Sequence, residues 1–274
     1  MSSAGPRPAG NVTYDHRGRV VLVTGGCHGI CRSICDEFLR AGASVVCADI
    51  NKDSMRQMPP EIHCVICDVG NELECRNAVE SAIQRFGTID VLVNNAAIQP
   101  RDSYVPLTEM DSELYQRMVN VNFSGYVFMA KHVLPLMTAQ KSGVIVNIAS
   151  GQGHRTARQV PVYGPIKAAN ILQAMQWGVE YARDGVRVVS VSPGAIDTPL
   201  VRAALEVQGG ARELANRHPL GRIGKPEEVA RAVLWLTSSD ASFVTATDLA
   251  VDGGLGAFAA FADPYPMPSN DLET

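Results

Sequence analysis

No long apolar run interrupts this 274-residue chain. Its apolar stretches stop well short of the ~20 residues that a helix needs to cross a bilayer. Residues 1–19 have no apolar core of the kind a secretory signal carries, so the Asn11-Val12-Thr13 sequon reads as accidental. Basic clusters are missing too. Against 28 Asp and Glu stand 24 Lys and Arg, a net charge of −4. Nucleic acid and anionic membrane surfaces call for clustered Lys and Arg, and the sequence argues against both as partners. Internal repeats and a central linker are also lacking, so one domain is expected. With 46% hydrophobic and 19% charged residues, the chain has enough apolar content to build a core without disulfides.

Disulfide and metal frameworks are not to be expected. The seven cysteines are an odd number, all between Cys27 and Cys75. Without a secretory signal they read as reduced thiols, and the chain as cytoplasmic. Cys64 and Cys67 form a CxxC inside a strand-like run, which points them to opposite faces. Cys27, Cys31 and Cys35 are spaced to share one helix face. The plain reading is small buried hydrophobes; a thiol sensor built on Cys27 beside the glycine turn is a second. No His or Cys stands at metal-ligand spacing, so no metal is expected.

What the chain does contain is alternation. Short apolar runs at 20–23, 44–48, 62–67, 91–93, 144–148, 186–191 and 249–251 read as strands. Between them lie helix-like stretches up to Ala41 and over 72–86, 111–139, 162–183 and 227–237. Continuous apolar strands separated by helices predict an α/β fold, a doubly wound parallel sheet of Rossmann type with helices on both faces. The ends differ in composition. Residues 1–17, rich in Gly, Pro and Ser, predict a mobile arm before a domain over 18–254. Residues 255–274 pass from Ala/Phe-rich to Pro-rich to acidic, a tail apolar enough to dock on a neighbouring subunit.

Two constellations carry chemistry. The first strand runs into Thr24-Gly25-Gly26-Cys27-His28-Gly29-Ile30, and glycines at a strand-to-helix turn let the backbone approach a pyrophosphate seated on the helix N-terminus. Asp49 ends the second strand twenty residues after Gly29, the offset of an acid that hydrogen-bonds the ribose hydroxyls of NAD and repels the 2′-phosphate of NADP. An N-cap or surface acid is the plainer alternative for it. Further on, Tyr163 and Lys167 stand four apart on one helical face. A cation near the phenol predicts a lowered Tyr163 pKa, usable for acid–base work near neutrality. Ser150 ends the fifth strand thirteen residues earlier, where it can hydrogen-bond a substrate oxygen. Pro165 is tolerated only in a first helical turn, so that helix is expected to start near 161–162.

Together these residues resemble the short-chain dehydrogenase/reductase family, of the single-domain kind, over roughly residues 18–254. The family's TGxxxGxG turn is matched at Thr24, Gly25 and Gly29 and departs at Cys31, which predicts a slight displacement of the helix. The resemblance implies NAD as cofactor. It implies cofactor contacts at Thr24, Gly25, His28, Gly29, Ile30 and Asp49, at Asp68 and Val69 near the adenine, and at Asn95 and Ala96 in a variant NNAG. It adds Pro193, Gly194, Ile196 and Thr198 at the carboxamide, with Tyr163 and Lys167 at the nicotinamide ribose. It assigns Tyr163 as acid/base, Lys167 to tuning, Ser150 to orienting the substrate and Asn122 to holding a proton-relay water. A homotetramer, or a homodimer, is implied as well.

The substrate is less determined. Gln99, Gln152, His154, Arg155 and Gln159 are expected to line a pocket, which suits a polar ring alcohol or a sugar hemiacetal; the alternative is solvated loop residues. The run from Ile196 to Ala230 looks like aldose- and polyol-oxidising members, and also like a hydroxysteroid dehydrogenase branch. Reduction of an apolar ketone or steroid is therefore the second reading. A catalytically silent cofactor-binding scaffold is a third, against which the intact Ser150–Tyr163–Lys167 set argues.

Overall fold

A computed structural model describes residues 10, 12–205 and 210–258. Seven parallel strands form one sheet in the order β3-β2-β1-β4-β5-β6-β7. In chain order the elements are β1 (Val20–Thr24), α1 (Gly29–Arg40), β2 (Ser44–Asp49), α2 (Lys52–Met55), β3 (His63–Ile66), α3 (Glu72–Phe86) and β4 (Val91–Asn94). Then follow α4 (Ser112–Val119), α5 (Gly125–Gln140), β5 (Gly143–Ile148), α6 (Tyr163–Glu180) and β6 (Val186–Pro193). The last are α7 (Pro199–Ala204), α8 (Ala211–Asn216), α9 (Pro226–Thr237) and β7 (Asp248–Val251).

Alternate residues of each strand face opposite ways, and two apolar layers result. Val21 and Val23 meet Ile34 and Phe38 of α1 with Val229 and Val233 of α9. Leu22, Val46 and Leu92 meet Val79 of α3, Met129 and Val133 of α5, and Ala174 of α6. The strand order reverses between β1 and β4, and a sheet of this kind opens a crevice at the carboxyl ends of its strands there. No helix among the described residues is long and apolar enough to cross a membrane.

The expected fold is present, with corrections in detail. The helix anticipated over 111–139 is two helices joined by a five-residue π-turn, Asn120–Ser124. Turns of this kind re-aim side chains within an otherwise regular helix. The first helical residue of α6 is Tyr163, which puts Pro165 in the first turn, as its chemistry requires. Two residues expected within a mobile arm pack on the domain instead. Tyr14 packs on the first layer, and His16 is buried edge-on to Phe38. Residues 1–9 and 11, and the tail from 259 onward, lie outside the described residues. The start of that tail is a single turn, Leu255–Ala257.

The cysteines follow their spacing. Cys27, Cys31 and Cys35 share the first layer, while Cys64 packs against it and Cys67 faces the second. All seven are free. Cys27 is buried with its Sγ 3.7 Å from that of Cys47, and burial raises its thiol far above the ordinary range. A thiol held protonated is a poor nucleophile, which counts against the sensor reading.

Candidate active site

A cavity of about 1640 Å³ opens at the carboxyl ends of the strands. That exceeds the roughly 300–1,000 Å³ which holds one drug-sized ligand, so a dinucleotide and a second molecule fit together. At its β1 end the wall is Gly25, His28, Gly29 and Ile30. Gly25 has φ +66°, and a Cβ there would stand 2.9 Å from Ala96 Cα, so only glycine lets the turn lie against the β4 segment. The N-terminus of α1 carries no side-chain cap and no acid in its first turn. Its uncapped N–H groups and the macrodipole suit a phosphate. Cys31, standing where the family has glycine, donates its thiol to the Thr24 carbonyl at 3.3 Å. The bulkier residue is thus absorbed by a buried contact.

Next along the wall come Asp49, Asp68 and Val69. Asp49 uses both oxygens locally: Oδ2 accepts from the Cys27 N–H at 3.0 Å and Oδ1 from Asn51 N–H at 2.9 Å. Its carboxylate therefore holds the turn and fronts the cavity at once. Asn95, Ala96, Pro193, Gly194, Ile196 and Thr198 complete this wall. Thr24 does not line it. Its Oγ1 accepts from the N–H groups of Asn95 and Ala96, at 3.0 and 3.2 Å, and so pins the β4 segment from behind. The expected cofactor contact at Thr24 becomes a support.

Ser150, Tyr163 and Lys167 all face the same cavity. The Ser150 Oγ accepts from Gln152 N–H at 3.1 Å, and Ser150 stands close enough to Tyr163 to act on its phenol. The loop after Ser150 reaches α6 because Gly153 lacks a side chain: a Cβ there would meet the Lys167 carbonyl carbon at 2.8 Å. Lys167 is buried, and its Nζ donates to the Ile148 carbonyl at 2.8 Å and to Tyr126 Oη at 3.1 Å. Burial lowers its pKa to about 7. The Tyr163 phenol is raised above its ordinary value, first by burial and then by the neighbouring Tyr104, with Ser150 opposing. This overturns the expectation of a lowered phenol pKa. Desolvation disfavours both charged forms, and the ammonium, 5.6 Å from the Tyr163 ring centroid, is engaged elsewhere.

Asn122 sits in the π-turn, buried and off the cavity wall. Its Oδ1 accepts from Ile98 N–H and its Nδ2 donates to Ile98 O, each at 2.8 Å. Both ends of the side chain are spent clamping the loop after β4, so the expected water-holding role does not fall to this side chain. Its carbonyl accepts from Asn170 Nδ2 at 3.1 Å. Asn170 O receives Asn147 Nδ2 at 3.3 Å, and Asn147 Oδ1 receives Asn94 Nδ2 at 3.1 Å. This buried asparagine chain ties β4, β5, α6 and the π-turn together beneath the site.

Of the expected substrate residues, Gln99, Gln152, Arg155 and Gln159 line the cavity. His154 does not: its Nε2 lies 2.7 Å from Asp248 Oδ2, on β7. Gln99 Nε2 and Gln152 Oε1 are buried with no hydrogen-bond partner among the described residues. Gln159 has φ +60°, a strained value for a residue with a side chain. Sequence reasoning missed Tyr104 and Tyr126. The signal for Tyr126 was a hydroxyl in the otherwise apolar run that opens α5.

Known proteins match this chain in sequence and in fold. A family model described as enoyl-(acyl carrier protein) reductase, of the short-chain alcohol dehydrogenase type, covers residues 25–256. The cis-4-hydroxycyclohexanecarboxylate dehydrogenase of Sinomonas cyclohexanicum is 37% identical over 243 residues, 86% of this chain and 96% of that protein. The ligand-free structure of the aldohexose dehydrogenase of Thermoplasma acidophilum superposes with a TM-score of 0.84 at 35% identity, over 90% of this chain and 98% of that one. The 3-ketoacyl-(acyl-carrier-protein) reductase of Brucella melitensis, solved with NADH, gives a TM-score of 0.81 at 29% identity, over 88% of this chain and 99% of that one. With the family model spanning most of the chain, this protein belongs to the short-chain dehydrogenase/reductase family, oxidoreductases that act on CH–OH groups with a nicotinamide cofactor.

Proposed function

We propose that the protein is an NAD(H)-dependent dehydrogenase that interconverts a polar ring alcohol, or a sugar hemiacetal, and its carbonyl compound. The observation that carries this reading is the convergence of Ser150, Tyr163 and Lys167 on the cavity that the glycine turn and Asp49 also line. The residues present fit a dinucleotide. The uncapped start of α1 with Gly25, His28, Gly29 and Ile30 would hold the pyrophosphate. Asp49 would take the adenosine ribose, and Asp68 with Val69 the adenine. Asn95 and Ala96 would border the nicotinamide half, Tyr163 and Lys167 would take its ribose, and Pro193, Gly194, Ile196 and Thr198 its carboxamide. When bound, the nicotinamide supplies the hydride acceptor for oxidation.

The chain's own residues do the rest. Ser150 hydrogen-bonds the reacting oxygen and holds it beside Tyr163. The Tyr163 phenolate takes the hydroxyl proton as the C–O bond becomes a carbonyl, and the phenol returns it in reduction. In its protonated form Lys167 stands 5.6 Å from the Tyr163 ring centroid and opposes the burial that otherwise holds the phenol protonated.

A polar substrate is supported by Gln99 and Gln152, whose buried polar atoms lack partners. Buried groups of this kind call for a ligand that satisfies them. Arg155 and Arg158 line the same cavity, exposed and outside any ion pair among the described residues. The similarity to enzymes named for a hydroxycyclohexanecarboxylate and for an aldohexose points the same way. Reduction of an apolar ketone or steroid is the second reading, favoured by Tyr104, Leu200 and Val201 on the wall. Assembly as a homotetramer fits the exposed Leu172 and Val179 on α6, which a twin helix would cover.

The test is a screen of NAD-linked oxidation over hexoses, polyols, hydroxycyclohexanecarboxylates and hydroxysteroids. Turnover of a polar ring compound is expected. Turnover confined to steroids would overturn the substrate class, and no turnover of any alcohol would overturn the activity.

A further inference from the structure

Tyr126 stands on α5 in an otherwise apolar stretch, and its side chain is buried. Packing alone does not require its hydroxyl, because a phenylalanine fills nearly the same space. The hydroxyl is nevertheless doubly engaged. It donates to the Ile148 carbonyl at 2.9 Å and accepts from Lys167 Nζ at 3.1 Å. Lys167 Nζ in turn donates to the same carbonyl at 2.8 Å. The three atoms form a closed triangle joining α5, the end of β5 that leads to Ser150, and α6.

An ammonium has three N–H bonds in fixed tetrahedral directions. Two are taken by Ile148 O and Tyr126 Oη, so the third is aimed. We propose that Tyr126 is a positioning residue for Lys167: its hydroxyl, anchored on Ile148, is a fixed acceptor that orients the ammonium toward the reacting centre. The groups that face this ammonium are few. Tyr126 comes from α5, Tyr163 from its own helix, Cys31 from α1 and the Ile148 carbonyl from β5. Tyr163 and Cys31 also face Tyr126. Burial keeps the Cys31 thiol protonated, and no carboxylate is among these neighbours. Tyr126 Oη is thus the one side-chain acceptor on Lys167 among the described residues.

A hydrogen bond to an ion favours the charged form. Removing the acceptor therefore makes Lys167 release its proton at lower pH. The kinetic consequence rests on the reading of Lys167 as the group that tunes Tyr163. A less charged Lys167 leaves the phenol less acidic, and the pH profile of alcohol oxidation moves to higher pH.

The experiment is Tyr126→Phe in the full chain, with Tyr126→Met as a second variant that fills the space without a hydroxyl. Lysine labelled with ¹³C reports the Lys167 titration by NMR, the signal being assigned by its loss in Lys167→Arg. The expected result is a fall of the Lys167 midpoint by about one pH unit, a tenfold change in its proton affinity, in both variants. An unchanged midpoint would overturn the proposal, whatever happens to the melting temperature, since a packing role moves the second and not the first. This readout needs no substrate. Absence of any alcohol oxidation would count against the proposed function, while an unmoved Lys167 counts against Tyr126.

Discussion

The carboxylate of Asp49 accepts a hydrogen bond from the backbone N–H of Cys27 at 3.0 Å, which ties the end of β2 to the glycine turn after β1. One negative charge thus braces the turn and fronts the cavity wall. A 2′-phosphate brought to that wall would meet it at close range. The catalytic efficiency with NAD is expected to exceed that with NADP by about 10-fold or more, each factor of ten being about 1.4 kcal/mol. Asp49→Asn keeps an acceptor for Cys27 while removing the charge, and it should narrow the gap. Equal efficiencies in the wild type would mean that Asp49 does not read the ribose.

Lys167 should make stability depend on pH. It titrates near 7 in the fold against an ordinary 10.5. Between those values the unfolded chain holds a proton that the native state has released, so stability rises with pH. The rise ends where the thiols, raised by burial in the fold, begin to ionise in the unfolded chain near their ordinary 9.0. Thermal unfolding between pH 7 and 8 is expected to show a rising melting temperature in the wild type and no such rise in Lys167→Met. The same slope in both proteins would contradict the assignment.

The substrate loop separates two residues that the sequence placed together. Arg155 lines the cavity, and Arg155→Ala should raise KM several-fold more than it lowers kcat, as for a contact made equally in ground and transition states. His154 is turned to Asp248, so His154→Ala should leave both constants within about two-fold. A KM effect at His154 and none at Arg155 would reverse their roles.

The proposed assembly rests on the apolar residues left on α6. Leu172 and Val179 are 66% and 74% exposed in the single chain. Light scattering at micromolar concentration is expected to give about four times 29.4 kDa. A mass near that of one chain would show that this face has no twin.

Much of the site was legible because its chemistry demands short, fixed spacings. The glycine turn after β1, the Tyr163/Lys167 pair and Ser150 at the end of β5 are local patterns, and the sheet brings them to one cavity. What stayed hidden depends on distant partners. His154 pairs with Asp248, 94 residues away, and no local pattern announces that. The π-turn at 120–124 interrupts a stretch whose apolar spacing runs on unbroken, yet it decides where Asn122 points. Thr24 resembles a cofactor contact in its motif, but its hydroxyl is spent on Asn95 and Ala96. The direction of the Tyr163 shift was misread for a similar reason. A nearby lysine is visible in the sequence, whereas the burial that outweighs it is a property of the folded site.

The central claim is that Tyr163 moves the proton in an alcohol oxidation. Tyr163→Phe deletes the transferable proton and keeps the ring. The decisive measurement is the single-turnover rate of NADH formation in this variant, on whichever alcohol the wild type oxidises, with cofactor affinity followed by NADH fluorescence. The rate should fall by about 10²- to 10⁴-fold while NADH binding stays within a few-fold of wild type. A rate near that of the wild type would contradict the account.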